Sequence, residues 1–450
     1  TIITINGGTI TAVARTTGTA IGGGTGLVQP GGEGIVTING GNVYAYNYKN
    51  SSDVPSSAIG GAGSQDVAGS LGYVSIHGGY VYAYSEYGTA IGAGSSQKTQ
   101  GGDAVVTITG GQVIAQSGSG AGIGGGSSYT MGGSTGTVYD GGTATINISG
   151  NPIIRTGSIG GGTTGHTQGK IGSADITIAG GDIQAQFVMA AGAKSPPSFA
   201  MSGGTIRNSN VDDEEYIHIQ KKGGAVFLGD GTFTMTGGII KNCSAVQGGA
   251  VYIDSQAGNS TFTMSGGEIH SCFATGDNAT KGHGGAVYLN GGRVQMTGGK
   301  IWNNYSVNGD GGAVYISNGN FFMQDGSSEI SDNSAQKGNG GGVFVSSAGS
   351  EAQVELLQGL ITGNSANKYG GGVCVDMGLT SHVASVIVGA VGAEEDNTTP
   401  DISGNAAMLS GGGLYVRGDH ANITINGGNI YGMSASNARV YGKNGSDFYQ

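Results

Sequence analysis

Gly248-Gly249-Ala250-Val251-Tyr252, Gly284-Gly285-Ala286-Val287-Tyr288 and Gly311-Gly312-Ala313-Val314-Tyr315 are three copies of one tract. Further copies centre on Ala225-Val226-Phe227, Gly342-Val343-Phe344 and Gly413-Leu414-Tyr415. They recur roughly every thirty residues with no helical periodicity between them, the pattern of one short strand per turn of a solenoid.

Outward from these tracts, apolar and polar residues alternate with a period of two. Ile3-Thr4-Ile5, Val36-Thr37-Ile38, Val74-Ser75-Ile76, Val106-Thr107-Ile108 and Ile176-Thr177-Ile178 are early copies; Phe233/Met235, Phe262/Met264, Val294/Met296 and Phe321/Met323 are later ones. Alternation sends the apolar residues inward and Thr4, Thr37, Thr107 and Thr177 outward. A glycine corner follows each copy and leads to a second strand such as Val43-x-Ala45, Val81-x-Ala83 or Ile183-x-Ala185. In early coils the third strand reads Ala20-Ile21-Gly22, Ala58-Ile59-Gly60 and Ala90-Ile91-Gly92. Corners from Gly7 to Gly427 give about fourteen coils of three strands each. The expected fold is all-β: a right-handed parallel β-helix, the hand following from the crossover preference of parallel strands. Residues 1–190 form coils of the Ile-Gly-Gly-Gly type, and 191–450 coils of the Gly-Gly-Ala-Val-aromatic type, read as one continuous helix with Ser195-Pro196-Pro197 at the seam.

Composition agrees. The 450 residues include 97 glycines and 6 prolines, and 10% are charged. That charge content is far below the globular norm, and the glycines lack a collagen period. With 18 basic and 29 acidic residues, clustered cations for a nucleic-acid partner are missing. No apolar run is long enough to span a bilayer as a helix, so no membrane insertion by this segment is expected. The chain opens in mid-repeat at Thr1-Ile2-Ile3, which reads as a mature or trimmed piece of something larger. Cys243 and Cys272 occupy one position in successive repeats; stacked side chains project in parallel, so both are expected as reduced, inward thiols. The same position holds Ser209, Asn304, Asn333, Asn364 and Asn405, whose amides should hydrogen-bond along the axis as a ladder.

Tracts such as Gly248-Gly249-Ala250-Val251, with the Ile-x-x-Asn tracts ending at Asn304, Asn333, Asn364 and Asn405, make residues 200–450 resemble the repeats of the polymorphic membrane protein family and related bacterial β-helix adhesins. The early half is similar to the Ile-Gly-Gly-Gly repeats of surface proteins from Gram-positive gut bacteria. This resemblance implies a bacterial cell-surface or secreted adhesin. Asn-x-Ser/Thr acceptors such as Asn304 on the ladder also fit poorly with a eukaryotic secretory route, where glycans would hinder stacking.

Aromatic residues are the sharpest candidates for contact. Tyr44, Tyr46, Tyr82 and Tyr84 alternate with Val43, Ala45, Val81 and Ala83, so they should face outward as a two-by-two tile edged by Tyr48, Tyr80 and Tyr87. Flat exposed rings suit sugars, although a self-packed stack under a loop is the competing reading. Phe227, Tyr252, Tyr288, Tyr315, Phe344, Cys374 and Tyr415 form a second file, either a groove for an extended polysaccharide or packing beneath loops. Asp212, Asp213, Glu214 and Glu215 are the candidate Ca²⁺ ligands, with solvated charge as the alternative; no other cofactor is expected. Glu268, Asp310, Asp325, Glu329, Asp332 and Glu355 lie in neighbouring coils near Lys241, Arg207 and His270. They support a second function, a polysaccharide-degrading β-helix enzyme, only if carboxylates converge. The leading expectation is a non-catalytic adhesin whose partner is a polysaccharide or host glycoconjugate.

Overall fold

The computed structural model describes residues 1–15, 17–48, 54–129, 139–163, 171–190, 196–208, 220–255, 258–277, 280–346, 351–377, 383–390, 399–418, 421–432 and 439–441. Every regular element among them is a β-strand. The chain divides into two units, Thr1–Ser209 and Asn210–Gln450, and in each the repeats pair in parallel. This is the all-β, parallel-stranded repeat architecture that a solenoid requires.

In the first unit, Ile2–Ile5, Gly34–Ile38, Gly72–Ile76, Ala104–Ile108 and Ala144–Ile148 stack in order, residue for residue. Ile5, Ile38, Ile76, Ile108, Ile148 and Ile178 thus form one vertical file, fully buried. Each such side chain contributes about 1.5–3 kcal/mol through removal from water. Second strands stack likewise: Thr9–Ala14, Asn42–Asn47, Tyr80–Ser85 and Gln112–Ser117. The series then includes Ile154, buried in the strand Ile153–Gly160, which the spacing pattern passes over because Asn151-Pro152 replaces the expected glycine. Ser198–Asn208 pairs with Ala174–Ala190 and falls in this unit.

The two-residue third strands Ile21–Gly22, Ile59–Gly60, Ile91–Gly92 and Ile123–Gly124 complete the repeats. Beyond them the backbone continues as a run of hydrogen bonds: Gly102 N–H to Gly94 O, Gly126 to Gly102, Gly142 to Gly126, Gly162 to Gly142 and Gly172 to Gly162, all 2.8–2.9 Å. Outgoing and returning segments alternate in this run, packed so closely that only glycine fits.

The second unit has a heavier core. Phe233 and Phe262 stack at 4.5 Å, and Met235, Met264, Met296 and Met323 share a register file. Ala384–Val388 supplies a first strand between Ala352–Leu356 and Ala421–Ile425, one more than the Phe/Met series predicts. Short strands such as Phe273–Ala274, Tyr305–Ser306, Ser334–Ala335 and Ser365–Ala366 add a fourth ladder after the second-strand corner.

That corner has a two-residue chemistry. Asn242, Ser271, Asn303, Asp332, Gly363 and Gly404 take left-handed φ values of 52–66°, which Asn, Asp and Gly tolerate best. The next residue points inward and forms the ladder. Asn304 Nδ2 lies 3.0 Å from Asn333 Oδ1, Asn333 Nδ2 2.9 Å from Asn364 Oδ1, and Asn364 Nδ2 2.9 Å from Asn405 Oδ1. The same oxygens accept the backbone N–H of Asn304, Asn333 and Asn364. Cys243 and Cys272 continue the file as free, buried thiols, each donating to the carbonyl two residues back at 3.2 Å. Ser209 lies outside the described residues.

Candidate functional site

In the first unit, Asn42–Asn47 pairs with Tyr80–Ser85, so Tyr44 stands opposite Tyr82 and Tyr46 opposite Tyr84. Val43, Ala45, Val81 and Ala83 are fully buried, which leaves the tyrosines on the outer face. Their rings do not sit above their register partners. They lean two residues along the neighbouring strand instead: Tyr44 meets Tyr80 at 5.7 Å, Tyr46 meets Tyr82 at 5.5 Å and Tyr48 meets Tyr84 at 5.5 Å, with interplanar angles of 41–47°. Tyr46 and Tyr48 lie nearly parallel along one strand at 5.7 Å. Such tilted and offset contacts are the favoured aromatic geometries.

The result is a terrace of six rings rather than a square of four, with Tyr48 and Tyr80 as full members. Tyr48 is 41% exposed and the others are partly exposed. The Tyr82 hydroxyl donates to Gln116 Oε1 at 3.0 Å. Burial, followed by the neighbouring tyrosines, raises the Tyr82 pKa; burial and then Glu86 raise that of Tyr84. Both stay protonated at neutral pH: Tyr84 offers a donor and an acceptor, Tyr82 an acceptor beside the donor given to Gln116, and each a flat apolar face.

The terrace continues along the axis. Tyr44, Tyr82, Ile114, Arg155, Gln184 and Arg207 form one register file on the same face. A shallow depression lined by Asn151, Pro152, Ile153, Asp182 and Gly204 adjoins it. Ile153 is 44% exposed there, and Arg207 grips Asp182 through Nε at 3.1 Å and Nη2 at 3.0 Å. Sequence reasoning missed Ile153, Arg155 and Asp182; counting outward from the Gly150 corner would have found the first two.

The aromatic file of the second unit is different. Val226, Val251, Val287, Val314 and Val343 are buried and the rings point oppositely, yet Tyr252 is only 3% exposed. Tyr252 stacks between Phe227 and Tyr288 (5.9 and 4.7 Å), Tyr288 between Tyr252 and Tyr315 (4.7 and 4.9 Å), and Tyr315 between Tyr288 and Phe344 (4.9 and 5.3 Å). His283 lies 4.2 Å from Tyr315, and Lys222 Nζ 4.6 Å from the Tyr252 ring. Phe344, Cys374 and Tyr415 close the file as a buried cluster with Tyr369 against it. These faces are taken up by stacking.

Burial pushes the Tyr252 and Tyr288 pKa values well up, and that of Tyr415 up to about 12. The folded state therefore holds these protons more tightly than the unfolded chain, whose tyrosines titrate near pH about 10. The stability they add is complete below that pH and is lost as pH rises through about 12. The urea midpoint of the second unit is expected to fall steadily over this range; a flat profile would contradict the assignment.

Asp310, Asp325, Glu268, Glu329 and Glu355 each have a polar partner of their own. Asp310 Oδ1 accepts from Asn339 N and Nδ2, both at 2.8 Å, and its Oδ2 lies 3.5 Å from His283 Nδ1. Asp325 accepts from Ser327 N and Oγ, whose hydrogen bonds hold its pKa below the usual value. Glu268 accepts from Trp302 Nε1 at 3.1 Å, and Glu329 binds Lys300 Nζ at 2.8 Å. Glu268 and Glu329 share a file with Lys300 between them. Glu355 accepts from Gln353, while Asp332 occupies the left-handed corner. His270 stacks on Trp302 at 4.5 Å.

Asp212, Asp213, Glu214 and Glu215 lie outside the described residues. Among the described residues, no cluster of three or more His, Cys, Asp or Glu side chains is placed to hold a metal ion. No protein-family model, curated protein or solved structure matches the chain.

Proposed function

We propose that the chain is a bacterial cell-surface or secreted binding protein that holds a glycan against the terrace of Tyr44, Tyr46, Tyr48, Tyr80, Tyr82 and Tyr84, without catalysing a reaction on it. The observation that carries this reading is the set of six partly exposed rings on one flat, rigid face. Sugar rings present apolar C–H faces that pack on aromatic planes, while their hydroxyls suit the phenol groups and Gln116 at the rim. Contiguous exposed apolar surface of this kind marks contact with a partner. A regular strand face holds the rings in place before binding, which limits the ordering cost.

The scaffold proposed for this role is a right-handed parallel β-helix of about fourteen coils, the hand following the crossover preference of parallel strands. The surface location rests on the resemblance of both repeat types to bacterial surface proteins.

A glycan array, paired with a reducing-sugar assay on the polysaccharides that bind, tests the proposal. Binding without product release is expected. Tyr46→Ala and Tyr82→Ala should each weaken binding about tenfold, since each removes a ring worth on the order of 1 kcal/mol or more. Far-UV circular dichroism should stay unchanged in both. Binding indifferent to both substitutions would remove the terrace from consideration. Product release abolished by one carboxylate substitution would establish the enzymatic alternative instead.

A further inference from the structure

We infer that the glycan recognised on this face is acidic, with a carboxylate seated at Arg155; the inference rests on the terrace being the glycan site. Arg155 lies in the same register file as Tyr44 and Tyr82, two rungs beyond Tyr82 through Ile114. That separation is about 10 Å at the spacing of adjacent strands. One rung is close to the length of one sugar in an extended polysaccharide, so a polymer stacked on the tyrosines and running along the axis passes over Arg155.

Arg155 is exposed and makes no ion pair with a described residue. The contrast with Arg207, two rungs further on, explains why. Arg207 reaches back one rung and two residues to Asp182 and binds it with two nitrogens. The same reach from Arg155 arrives at Gln112, which carries no charge. Asp182, on the other neighbouring rung, is already engaged by Arg207. The guanidinium of Arg155 is therefore left as a planar, multi-donor cation, the geometry that matches a carboxylate.

The surroundings permit an anionic polymer. Thr1–Ser209 contains seven basic and eight acidic residues, so the net charge of −11 resides almost entirely in the other unit. Exposed Ile153, at the depression, offers apolar surface to the sugar carrying the acid.

The test measures binding of the full chain to polygalacturonate, to its fully methyl-esterified form, and to dextran sulfate. The esterified polymer keeps the sugar backbone and removes only the charge. Polygalacturonate is expected to bind at least about tenfold more tightly than the ester, the scale of one charge-assisted contact. Arg155→Gln should abolish that preference by weakening polygalacturonate more than the ester, and Arg155→Lys should restore part of it. Tyr82→Ala should weaken both uronate polymers alike.

Equal binding of acid and ester, or a preference that survives Arg155→Gln, would overturn the inference and leave the terrace standing. Tight binding of dextran sulfate independent of Arg155 would mark diffuse charge attraction and would also overturn it. Loss of the preference together with indifference to Tyr82→Ala would place the anion elsewhere than on a terrace-bound glycan.

Discussion

Gly92→Ala is expected to unfold the first unit or to lower its stability by more than about 4 kcal/mol, the range reserved for forced backbone clashes. Gly92 follows Ile91 in a third strand paired with Ile59–Gly60 on one side and Ile123–Gly124 on the other. Its φ of 141° belongs to a region that side chains strain to adopt, and a Cβ there would be driven into the Gly124 carbonyl oxygen. A flexible side chain could swing aside, but a carbonyl in a hydrogen-bonded rung cannot. Moving Gly92 toward its other neighbour fails for the same reason, because Gly60 makes an equally close approach to Gly92. Gly7→Ala is the control: at Gly7 nothing lies within 4 Å of the added carbon. Urea unfolding followed by circular dichroism should separate the two variants clearly. Equal midpoints for Gly92→Ala, Gly7→Ala and the unsubstituted chain would mean that the third strands are not stacked as described.

This layer explains which parts of the molecule could be read from the chain. Ile38, Ile76 and Ile108 were legible because period-two alternation on a strand has one meaning when one face is buried. The Ile-Gly pairs were legible as third strands, but their glycines read as corner residues. Their deeper cause is the distance between neighbouring backbones, a tertiary property with no local signature. Ile154 and Val386 were hidden because the corner beside each departs from Gly-Gly: Asn151-Pro152 follows Gly150, and Pro400 stands where another repeat has glycine.

The candidate site shows the same division. Alternation identified the outward face of Tyr44, Tyr46, Tyr82 and Tyr84. It could not show that the rings lean diagonally, which brings in Tyr48 and Tyr80, nor that Arg155 shares their file across the long segment between Ser117 and Ile153. In the second unit alternation again gave the direction of Tyr252, Tyr288 and Tyr315. Their coverage by neighbouring rings depends on stacking distances that no single repeat encodes.

Asn333→Leu is expected to destabilise the second unit by about 3–5 kcal/mol, although leucine matches asparagine closely in shape. Asn333 is fully buried. Its Oδ1 accepts from Asn304 N at 2.9 Å and from Asn304 Nδ2 at 3.0 Å, and its Nδ2 donates to Ile301 O and Ser331 O at 3.0 and 2.8 Å. Leucine deletes both functions at once. Each buried group left without a partner costs roughly 1–3 kcal/mol; Asn304 N loses its acceptor and Ile301 O its side-chain donor, while Asn304 Nδ2 keeps Ile269 O and Trp302 O. Asn333→Asp would keep the acceptor but bury a charge without a partner, which is no milder.

Cysteine is the informative replacement. Cys243 and Cys272 already occupy this file, each thiol donating to the carbonyl two residues back. Asn333→Cys should therefore keep a donor toward Ser331 O while losing the acceptor and the donation to Ile301 O, falling between the unsubstituted chain and Asn333→Leu. Trp302, the one tryptophan of the chain, is two residues from Asn304 and reports on this corner by fluorescence. If Asn333→Leu and Asn333→Cys melt together at the temperature of the unsubstituted protein, the amide ladder contributes packing alone.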